Sequence, residues 1–545
     1  RHYKTVHLLW HEYCNRVTTN IQIPSLLNMR KLLQTHWPGI LILLLALSIG
    51  IEVYQDYGMS IDESSQRDMG FAAYRYAKGE FDGDYSDYFL RDHGPGFDWV
   101  YIFYERLFKI ESYRDIFLSR HLITYLLFIF SSMIMYIWVY KIFSNRWLAS
   151  FSMSAIIFNP LLFGHAFFNP KDIPAMSIFL ISMAVSYWAF TKNKKYAFLL
   201  LGLVCGYSTS IRLTNILIIA PIALFFLIDL IQALKQKKGT AHVFISGLLV
   251  CIGTCAAMYA FWPALWEDPI AGLTYAYETS TKYPWNGEIL LGGIHLHSLN
   301  LPWSYIPTWF FITTPELFLF FGIIGIALLI VRVVDEPATY FRNTPMRNIL
   351  MAFICFFLPV ILVIIQRAIL YDSWRHLYFI YPGFVLLMTF GFNELLKKKV
   401  KLLLWSICIV QFILIGRFMM KSHPFEHVYF NNFVPHDEDY LMKNYELDYW
   451  GTAQKQGLEW LADNDERYGI KILETRWLLQ YNHMFLNDWK RDKFVFTWDP
   501  NEAEYYIGFF RTYPYEYPNE KTPDAKIVHE RRILGSPVLR VVKLR

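Results

Sequence analysis

Apolar segments long enough to cross a membrane recur along the chain. An α-helix needs about 17–25 mostly apolar residues to cross a hydrocarbon core of about 30 Å. Eleven candidate segments occur, at 37–53, 116–140, 147–163, 173–190, 196–210, 213–233, 243–262, 315–333, 349–366, 375–393 and 401–419. The third and the fifth are short for a span. The pattern predicts a polytopic α-helical membrane protein with about eleven transmembrane helices.

Positive residues divide the connections between these segments into two sets. Lysines and arginines gather before the first segment and after every even-numbered one: Arg30, Lys31, Lys141, Arg146, Lys192, Lys194, Lys195, Lys235, Lys237, Lys238, Arg332, Arg342, Arg347, Lys397, Lys398, Lys399 and Lys401. Because positive connections are retained in the cytoplasm, the N-terminus is predicted to be cytoplasmic. The loops 54–115 and 263–306 and everything after residue 420 are then extracytoplasmic.

The remaining composition narrows the class of protein. Of the 545 residues, 54% are hydrophobic and 18% are aromatic. The net charge of +5 is explained by the cytoplasmic connections, and no basic stripe with interleaved aromatics is present, so we expect no nucleic-acid partner. None of the six cysteines lies in an outside loop, which argues against an exported disulfide framework.

The pattern divides the chain into three parts. Residues 1–28 precede the first methionine, Met29, and are interpreted as an N-terminal extension that is not necessarily native. Residues 29–420 form the membrane module, with a helix near 69–77 expected to lie in the membrane interface. Residues 421–545 are predicted to form a small extracytoplasmic α/β domain. Its expected elements are a helix at 452–463, strands at 470–474, 494–498 and 504–510, and a hairpin of 526–534 with 538–544.

Ionisable side chains at the outer ends of several segments are the candidates for chemistry. The acidic pair Asp62 and Glu63 follows the first segment, and Asp172, Arg212 and Arg375 lie at the ends of three others. Such groups cost free energy at membrane depth, so a functional role is the first hypothesis. A carboxylate suits acceptance of a proton from a hydroxyl, and a guanidinium suits phosphate. The set fits attack by a hydroxyl on a sugar whose leaving group is a phosphate.

Each candidate also has a structural interpretation. The acidic pair can be part of a solvated loop, and Arg212 and Arg375 can extend to lipid headgroups. Asp172 can cap the helix that follows it. His93 lies beside Gly-Pro-Gly and can be a turn residue. These alternatives stay open at the level of the sequence.

Three motifs in this order resemble a known family. They are the acidic pair, the turn Lys171-Asp172-Ile-Pro, and Trp374-Arg-His-Leu-Tyr-Phe-Ile-Tyr-Pro382. Together they resemble the C-type (GT-C) glycosyltransferases, and more narrowly the bacterial phospholipid-carrier-dependent enzymes of glycosyltransferase family 39. That group includes the protein O-mannosyltransferases and the lipid A aminoarabinose transferase. The stretches 423–431 and 446–451 also resemble patterns of bacterial members, so the resemblance covers about residues 29–545.

The resemblance implies inverting transfer of a sugar from a polyprenyl-phosphate donor to an acceptor hydroxyl, on the outer face of the bacterial inner membrane. Carried over by motif, Asp62 is the general base, Glu63 its neighbour and Asp172 a second acid. Arg375 contacts the donor phosphate, and so does Arg212, where some relatives have a lysine. The other substrate-binding candidates are His376, His93, Lys171 and Tyr378.

The implied partners are the polyprenyl-phosphate sugar, membrane lipids and a lipid, glycan or protein acceptor. No cofactor is required by this chemistry, although a divalent cation between the acids and the phosphate stays open. The pair His295 and His297 lacks an evident third ligand, so no metal site is predicted there.

Three other functions remain as alternatives. A glycan ligase or polymerase would use a polyprenyl-diphosphate donor and would favour longer, more basic outside loops. A secondary transporter usually shows internal repeats and ionisable residues near the midplane. Here the number of segments is odd, no repeat is visible, and the charges lie at the outer rim. A non-catalytic scrambling or assembly subunit would tolerate loss of Asp62.

Overall fold

The computed structural model describes residues 26–475, 477–511 and 525–545. The predicted extension 1–28 lies outside this range up to residue 25, and 26–28 belong to the first helix. The helices of the membrane module are α1 Leu26–Val53, α2 Ile61–Ala77, α3 Asp98–Phe108, α4 Tyr113–Phe143, α5 Arg146–Ile157, α6 Pro160–Phe168, α7 Asp172–Lys192, α8 Lys195–Ile211, α9 Ile219–Gln236, α10 Thr240–Phe261, α11 Pro269–Thr281, α12 Tyr305–Thr313, α13 Glu316–Asp335, α14 Pro337–Arg342, α15 Thr344–Gln366, α16 Tyr381–Leu396 and α17 Lys401–Ser422.

All eleven predicted segments are helical, and the fold is that of a polytopic α-helical membrane protein. Within the described residues, nine helices are long and apolar enough to cross a membrane. The two short segments differ from simple spans. The third is the pair α5 and α6, bent by 59°, where Asn159 caps α6 and Pro160 occupies its first position. The fifth is α8, which has only 17 residues.

Small residues allow the membrane helices to approach closely. A Cβ atom on Gly202 of α8 would lie 2.3 Å from the carbonyl oxygen of Val250 on α10. A Cβ atom on Gly391 of α16 would lie 2.3 Å from the carbonyl oxygen of Phe321 on α13. Helix pairs in a membrane gain dispersion energy when small residues remove this steric barrier. The segment 375–396 is nearly all buried, so α16 lies in the middle of the bundle.

The charged residues fall at two opposite ends of the bundle. At one end, which we name the inner end, Arg347 pairs with Asp229, and Glu394 lies 2.5 Å from Arg332 and 2.6 Å from Lys397. These arginines and Lys397 belong to the connections predicted to be cytoplasmic. The opposite end, the outer end, carries Asp62, Asp172 and Arg375. The separation fits the predicted arrangement of connections, and the direction across the membrane stays a prediction.

The first outside loop folds against the protein. The helix expected near 69–77 forms within α2, but its apolar residues Met69, Ala72 and Ala73 are buried in the protein. The prediction that this helix lies in the membrane interface is therefore not supported. The exposed apolar face in this loop belongs to α3, where Phe103 and Phe108 are exposed.

The C-terminal part forms the predicted α/β domain. Its sheet has five strands, in the order β4 (Phe494–Thr497), β3 (Ile470–Leu473), β5 (Tyr505–Ile507), β7 (Ser536–Lys543) and β6 (Lys526–Ile533). β3 is parallel to β4 and β5, and β7 is antiparallel to β5 and β6. The elements are α18 Tyr440–Asn444, α19 Ala453–Asn464, β3 Ile470–Leu473, α20 Leu478–Met484, α21 Asp488–Arg491, β4 Phe494–Thr497, β5 Tyr505–Ile507, β6 Lys526–Ile533 and β7 Ser536–Lys543. The outside loop 263–306 contributes the hairpin β1 Glu288–Leu291 and β2 Ile294–His297.

This domain holds the turn between α1 and α2. The Nζ atom of Lys455 donates to the carbonyl oxygens of Gln55 and Asp56, at 2.7 and 3.0 Å. The side chain of Asn482 accepts from the Met59 amide at 2.8 Å and donates to the Met59 carbonyl at 3.1 Å. Asp62 lies one turn further along the chain, so contacts of the C-terminal domain help to fix its position.

Candidate active site

Four predicted site residues from separate segments meet at the outer end. Arg375 is central and its side chain is only 7% exposed. Its Nη1 atom lies 3.2 Å from Oδ2 of Asp62 and 3.5 Å from Oδ2 of Asp172. Arg212 pairs with the other oxygen of Asp172. The two acids and two arginines that the sequence predicts for proton acceptance and phosphate binding therefore lie within one connected cluster.

Asp62 is the most accessible acid of this cluster, with its side chain 37% exposed. It occupies the first turn of α2. The amide dipoles at a helix N-terminus favour negative charge there. The carboxylate thus combines a fixed position with access from outside, as a base for an incoming hydroxyl needs.

Glu63, the other member of the acidic pair, is buried. Its Oε2 atom accepts a hydrogen bond from the Ser60 amide at 2.7 Å, and its Oε1 atom lies 2.9 Å from Nε2 of His121. The first contact completes the N-terminus of α2. The second joins α2 to α4. Both oxygens are engaged, so these contacts support a structural contribution of Glu63 to the placement of Asp62.

Asp172 is the first residue of α7 and is almost completely buried. The helix start is satisfied by Asn169, whose Oδ1 atom accepts from the Asp172 amide at 2.8 Å. The side-chain nitrogen Nδ2 of Asn169 also donates to Oδ2 of Asp172 at 3.1 Å. The side chain of Asn169 thus caps α7 in place of Asp172, and the carboxylate of Asp172 faces the two arginines.

Lys171 connects this region to the first outside loop. It is buried, and its Nζ atom donates to the carbonyl oxygen of Gly94 at 2.6 Å. Burial lowers the pKa of Lys171 to about 8, although the negative charge of Asp98 opposes the shift. The loop is also held by Gly96, whose amide donates to the Ser210 carbonyl at 2.9 Å.

The remaining candidates lie around the cluster at different depths. His376 is in edge contact with the Tyr371 ring, with centroids 4.7 Å apart. Tyr378 is buried, and its hydroxyl lies 3.1 Å from Nε2 of His165. His93 is partly exposed, and its ring lies against that of another tyrosine of the outside loops. The contacts of these three residues do not reach Asp62.

Asp372 extends the cluster and was not among the sequence candidates. Its Oδ2 atom lies 3.0 Å from Nη2 of Arg375, and its Oδ1 atom lies 2.6 Å from Nη2 of Arg511. The backbone at Asp372 and Ser373 has φ of +57° and +65°. Such conformations cost non-glycine residues about 1–3 kcal/mol each and occur preferentially at functional sites.

Aromatic rings cover the guanidinium of Arg375. Its Cζ atom lies 4.6 Å from the ring centroid of Trp450 and 5.0 Å from that of Tyr371. Tyr371 in turn stacks on Trp285 at 4.6 Å. These rings limit access of water to one side of the guanidinium and strengthen its interactions with anions.

The donor set of this cluster does not fit a metal ion. Within residues 26–475, 477–511 and 525–545, no group of three or more His, Cys, Asp or Glu side chains is arranged to hold one. The carboxylates of Asp62 and Asp172 are already paired with guanidinium groups, which would repel a cation.

Comparisons with known proteins give matches among solved structures. No family model matches the chain, and no curated protein matches it significantly. One similar solved structure is ArnT from Cupriavidus metallidurans in the apo state. The identity is 11%, the TM-score is 0.40, and the alignment covers 91% of this chain and 97% of that chain.

The Archaeoglobus fulgidus oligosaccharyltransferase is similar in two structures. With an acceptor peptide containing the NVT sequon tethered by a disulfide bond, it gives 10% identity and a TM-score of 0.38, over 76% of this chain and 56% of that one. Its complex with Zn and sulfate gives 11% identity and a TM-score of 0.38, and the alignment covers 76% of this chain and 59% of that one. This chain thus spans less than two thirds of that enzyme's length. Both similar proteins are C-type glycosyltransferases.

Proposed function

We propose that this protein is an integral-membrane glycosyltransferase that moves a sugar from a polyprenyl-phosphate carrier to an acceptor hydroxyl, with inversion, at the outer surface of the bacterial inner membrane. The observation that carries the proposal is the contact of Arg375 with both Asp62 and Asp172 at the outer end of the bundle. It combines an accessible carboxylate with buried guanidinium groups. Proton acceptance and phosphate binding are the two tasks of this reaction.

The proposed reaction is a single displacement. Asp62 accepts the proton of the acceptor hydroxyl as its oxygen forms a bond to the anomeric carbon. The bond from that carbon to the phosphate oxygen breaks through an oxocarbenium-like transition state. The leaving polyprenyl phosphate keeps the electron pair, and its negative charge is stabilised by Arg375 and Arg212. One displacement from the opposite face inverts the anomeric configuration.

Asp172 acts in this proposal by holding the cations. It is buried between Arg212 and Arg375, so its charge offsets the cost of burying two guanidinium groups. When the donor binds, its phosphate oxygens replace carboxylate oxygens as the acceptors of the guanidinium N–H groups. Arginine suits this exchange because its planar fork binds carboxylate and phosphate in the same geometry.

The outer position also fits a lipid-linked donor. A polyprenyl chain remains in the hydrocarbon region while its phosphate stays at the surface, at the depth where Arg375 begins the buried segment 375–396. The acceptor reaches Asp62 from the aqueous side. Lipid, glycan and protein hydroxyls all meet this requirement.

The test is a donor panel with the purified full chain in lipid nanodiscs. Radiolabelled sugars on polyprenyl monophosphate and on polyprenyl diphosphate are supplied with an acceptor extract, and the product's anomeric configuration is determined by NMR. We expect transfer from a monophosphate donor with inversion. Transfer from diphosphate donors alone would favour the ligase alternative, and retention would contradict a single displacement.

A further inference from the structure

Arg511 brings a third guanidinium group to the outer end from the C-terminal domain. It follows β5 by four residues, and its side chain is only 17% exposed. Its Nη2 atom lies 2.6 Å from Oδ1 of Asp372, and its Nε atom lies 3.5 Å from Oε1 of Glu446. The guanidinium also lies over the ring of Trp285, at 5.1 Å.

Asp372 connects Arg511 directly to the proposed phosphate-binding group. One carboxylate oxygen faces Arg511 and the other faces Nη2 of Arg375. Nη1 of Arg375 faces Asp62 and Asp172. The five side chains thus form one continuous chain of charge, from the C-terminal domain to the proposed base.

The charge balance explains why the third guanidinium matters. Asp372 is buried, and a buried carboxylate needs a cation within contact distance. With Arg511 present, Asp372 shares its charge between two guanidinium groups. Without Arg511, Arg375 would be its remaining partner and would be drawn away from Asp62 and Asp172.

Several buried polar atoms around these five charged side chains lack a hydrogen-bond partner within the described residues. They are Oγ of Ser373, Nε of Arg375, Nδ1 of His376, Oε1 and Oε2 of Glu446, the hydroxyl of Tyr305, and Oδ1 of Asp372 with Nη2 of Arg511, which form an ion pair without hydrogen-bond geometry. Buried polar groups are almost always satisfied in folded proteins, so each exception needs an explanation. Both donors and acceptors are among them, which fits a polar ligand or ordered water next to Arg375.

We propose that Arg511 is a positioning residue of the transfer site. It holds Asp372, and through Asp372 it holds the Arg375 guanidinium where the donor phosphate leaves. The C-terminal domain therefore completes the active site. This inference rests on the proposed function, because its role for Arg375 is defined by a phosphate leaving group.

The experiment compares Arg511→Ala, Arg511→Lys and the double variant Arg511→Ala/Asp372→Asn in the full chain. Arg467→Ala is the matched control, since Arg467 lies in the same domain and pairs with Asp465 and Glu504 at 2.8 Å each, away from the cluster. The rate constant kcat and the donor KM are measured separately with a polyprenyl-monophosphate sugar. Thermal unfolding of each variant monitors the fold.

We expect Arg511→Ala to lower kcat by about 10²-fold, the effect of one misplaced donor to a developing negative charge. Arg511→Lys keeps one contact to Asp372 and should lose about tenfold. In the double variant the Asp372 carboxylate no longer competes for Arg375, so kcat should recover by about tenfold over Arg511→Ala. A merely structural role predicts the reverse, since a second substitution would add damage.

Two results would overturn the inference. One is a kcat for Arg511→Ala within about twofold of the Arg467→Ala value, and the other is a double variant slower than Arg511→Ala. Where Arg511→Ala does not fold, Arg511→Lys decides by the same comparison with Arg467→Ala. If neither wild type nor Arg467→Ala transfers sugar from any monophosphate donor, the proposed function fails, and the inference fails with it.

Discussion

The inner and outer ends of the bundle both carry arginine–carboxylate pairs at the ends of membrane helices, yet they differ in arrangement. At the inner end, Arg347 pairs with Asp229 and Arg332 with Glu394. At the outer end, the single side chain of Arg375 contacts all three of Asp62, Asp172 and Asp372. The inner pairs join neighbouring helices, whereas the outer cluster joins the first loop, the bundle and the C-terminal domain.

The satisfaction of the polar atoms differs as well. Among the described residues, the inner-end side chains of Arg332, Arg347, Asp229 and Glu394 contain no buried atom without a partner, while Arg375 keeps its Nε atom unpaired. The arginines at the two ends of the bundle therefore differ in whether all their buried N–H groups have a hydrogen-bond partner. Complete pairing indicates a structural contact, and incomplete pairing of a buried group beside an accessible acid fits a place for a polar ligand or an ordered water.

The largest expected effect contrasts one arginine from each end. Arg375→Ala should lower transfer by about 10³-fold, because the leaving phosphate loses its central cation. Arg347→Ala should cost about 1–3 kcal/mol of stability by leaving the partly exposed Asp229 without its partner, while transfer per folded molecule stays within about twofold. Initial rates normalised to folded protein, with thermal unfolding, measure both. Equal losses of transfer at the two ends would contradict the comparison.

A contrast of acids sharpens the comparison. Asp172→Asn keeps the size of the side chain but removes the charge shared by Arg212 and Arg375, so transfer should fall by about 10²-fold. Asp229→Asn makes the same change at the inner end and should leave the rate per folded molecule within about twofold. Both variants are assayed with the same donor. Transfer at the wild-type rate in Asp172→Asn would show that the charge of Asp172 does not contribute to the reaction.

The pH dependence of stability should differ at the outer end. Burial raises the pKa of Glu446 from 4.5 to about 8, although Arg511 opposes the shift. Between these values the folded state binds more protons than the unfolded state, so the free energy of unfolding falls as pH rises from 4.5 through about 8. Glu446→Gln should flatten this part of the Tm profile. An unchanged slope in Glu446→Gln would show that another group controls it.

The smallest expected effect is that of metal removal. Because the outer-end carboxylates are paired with guanidinium groups, we propose that the transfer needs no divalent cation. Treatment with EDTA should change the initial rate by less than about twofold. A large loss that Mg²⁺ or Mn²⁺ restores would mean that the carboxylates leave their arginines to bind a cation.

Part of this arrangement follows from the sequence alone. The spans are predictable because a bilayer demands a minimum apolar length, and Asp62, Asp172, Arg212 and Arg375 are noticeable because charge is costly at membrane depth. The bend between α5 and α6 was not predicted, since its local signal is confined to Asn159 and Pro160 within an apolar run.

Tertiary contacts account for what the sequence could not predict. Glu63 is adjacent to Asp62, and the two carboxylates are distinguished by tertiary contacts, with His121 for Glu63 and with Arg375 for Asp62. Arg511 carries no local signal, because its significance comes from Asp372, which is distant along the chain. Asp372 lies just before the motif 374–382, but its role depends on its contacts with Arg375 and Arg511.

The most direct test of the central claim is single-turnover transfer by Asp62→Asn with Asp68→Asn as its control. Both changes neutralise one acid of α2 with little change in size, and of these two acids Asp62 is the one that contacts Arg375. The account predicts a loss of at least about 10²-fold in Asp62→Asn, as expected for a lost general base, and a rate within about twofold of wild type in Asp68→Asn. Equal rates in the two variants, at matched levels of folded protein, would contradict it.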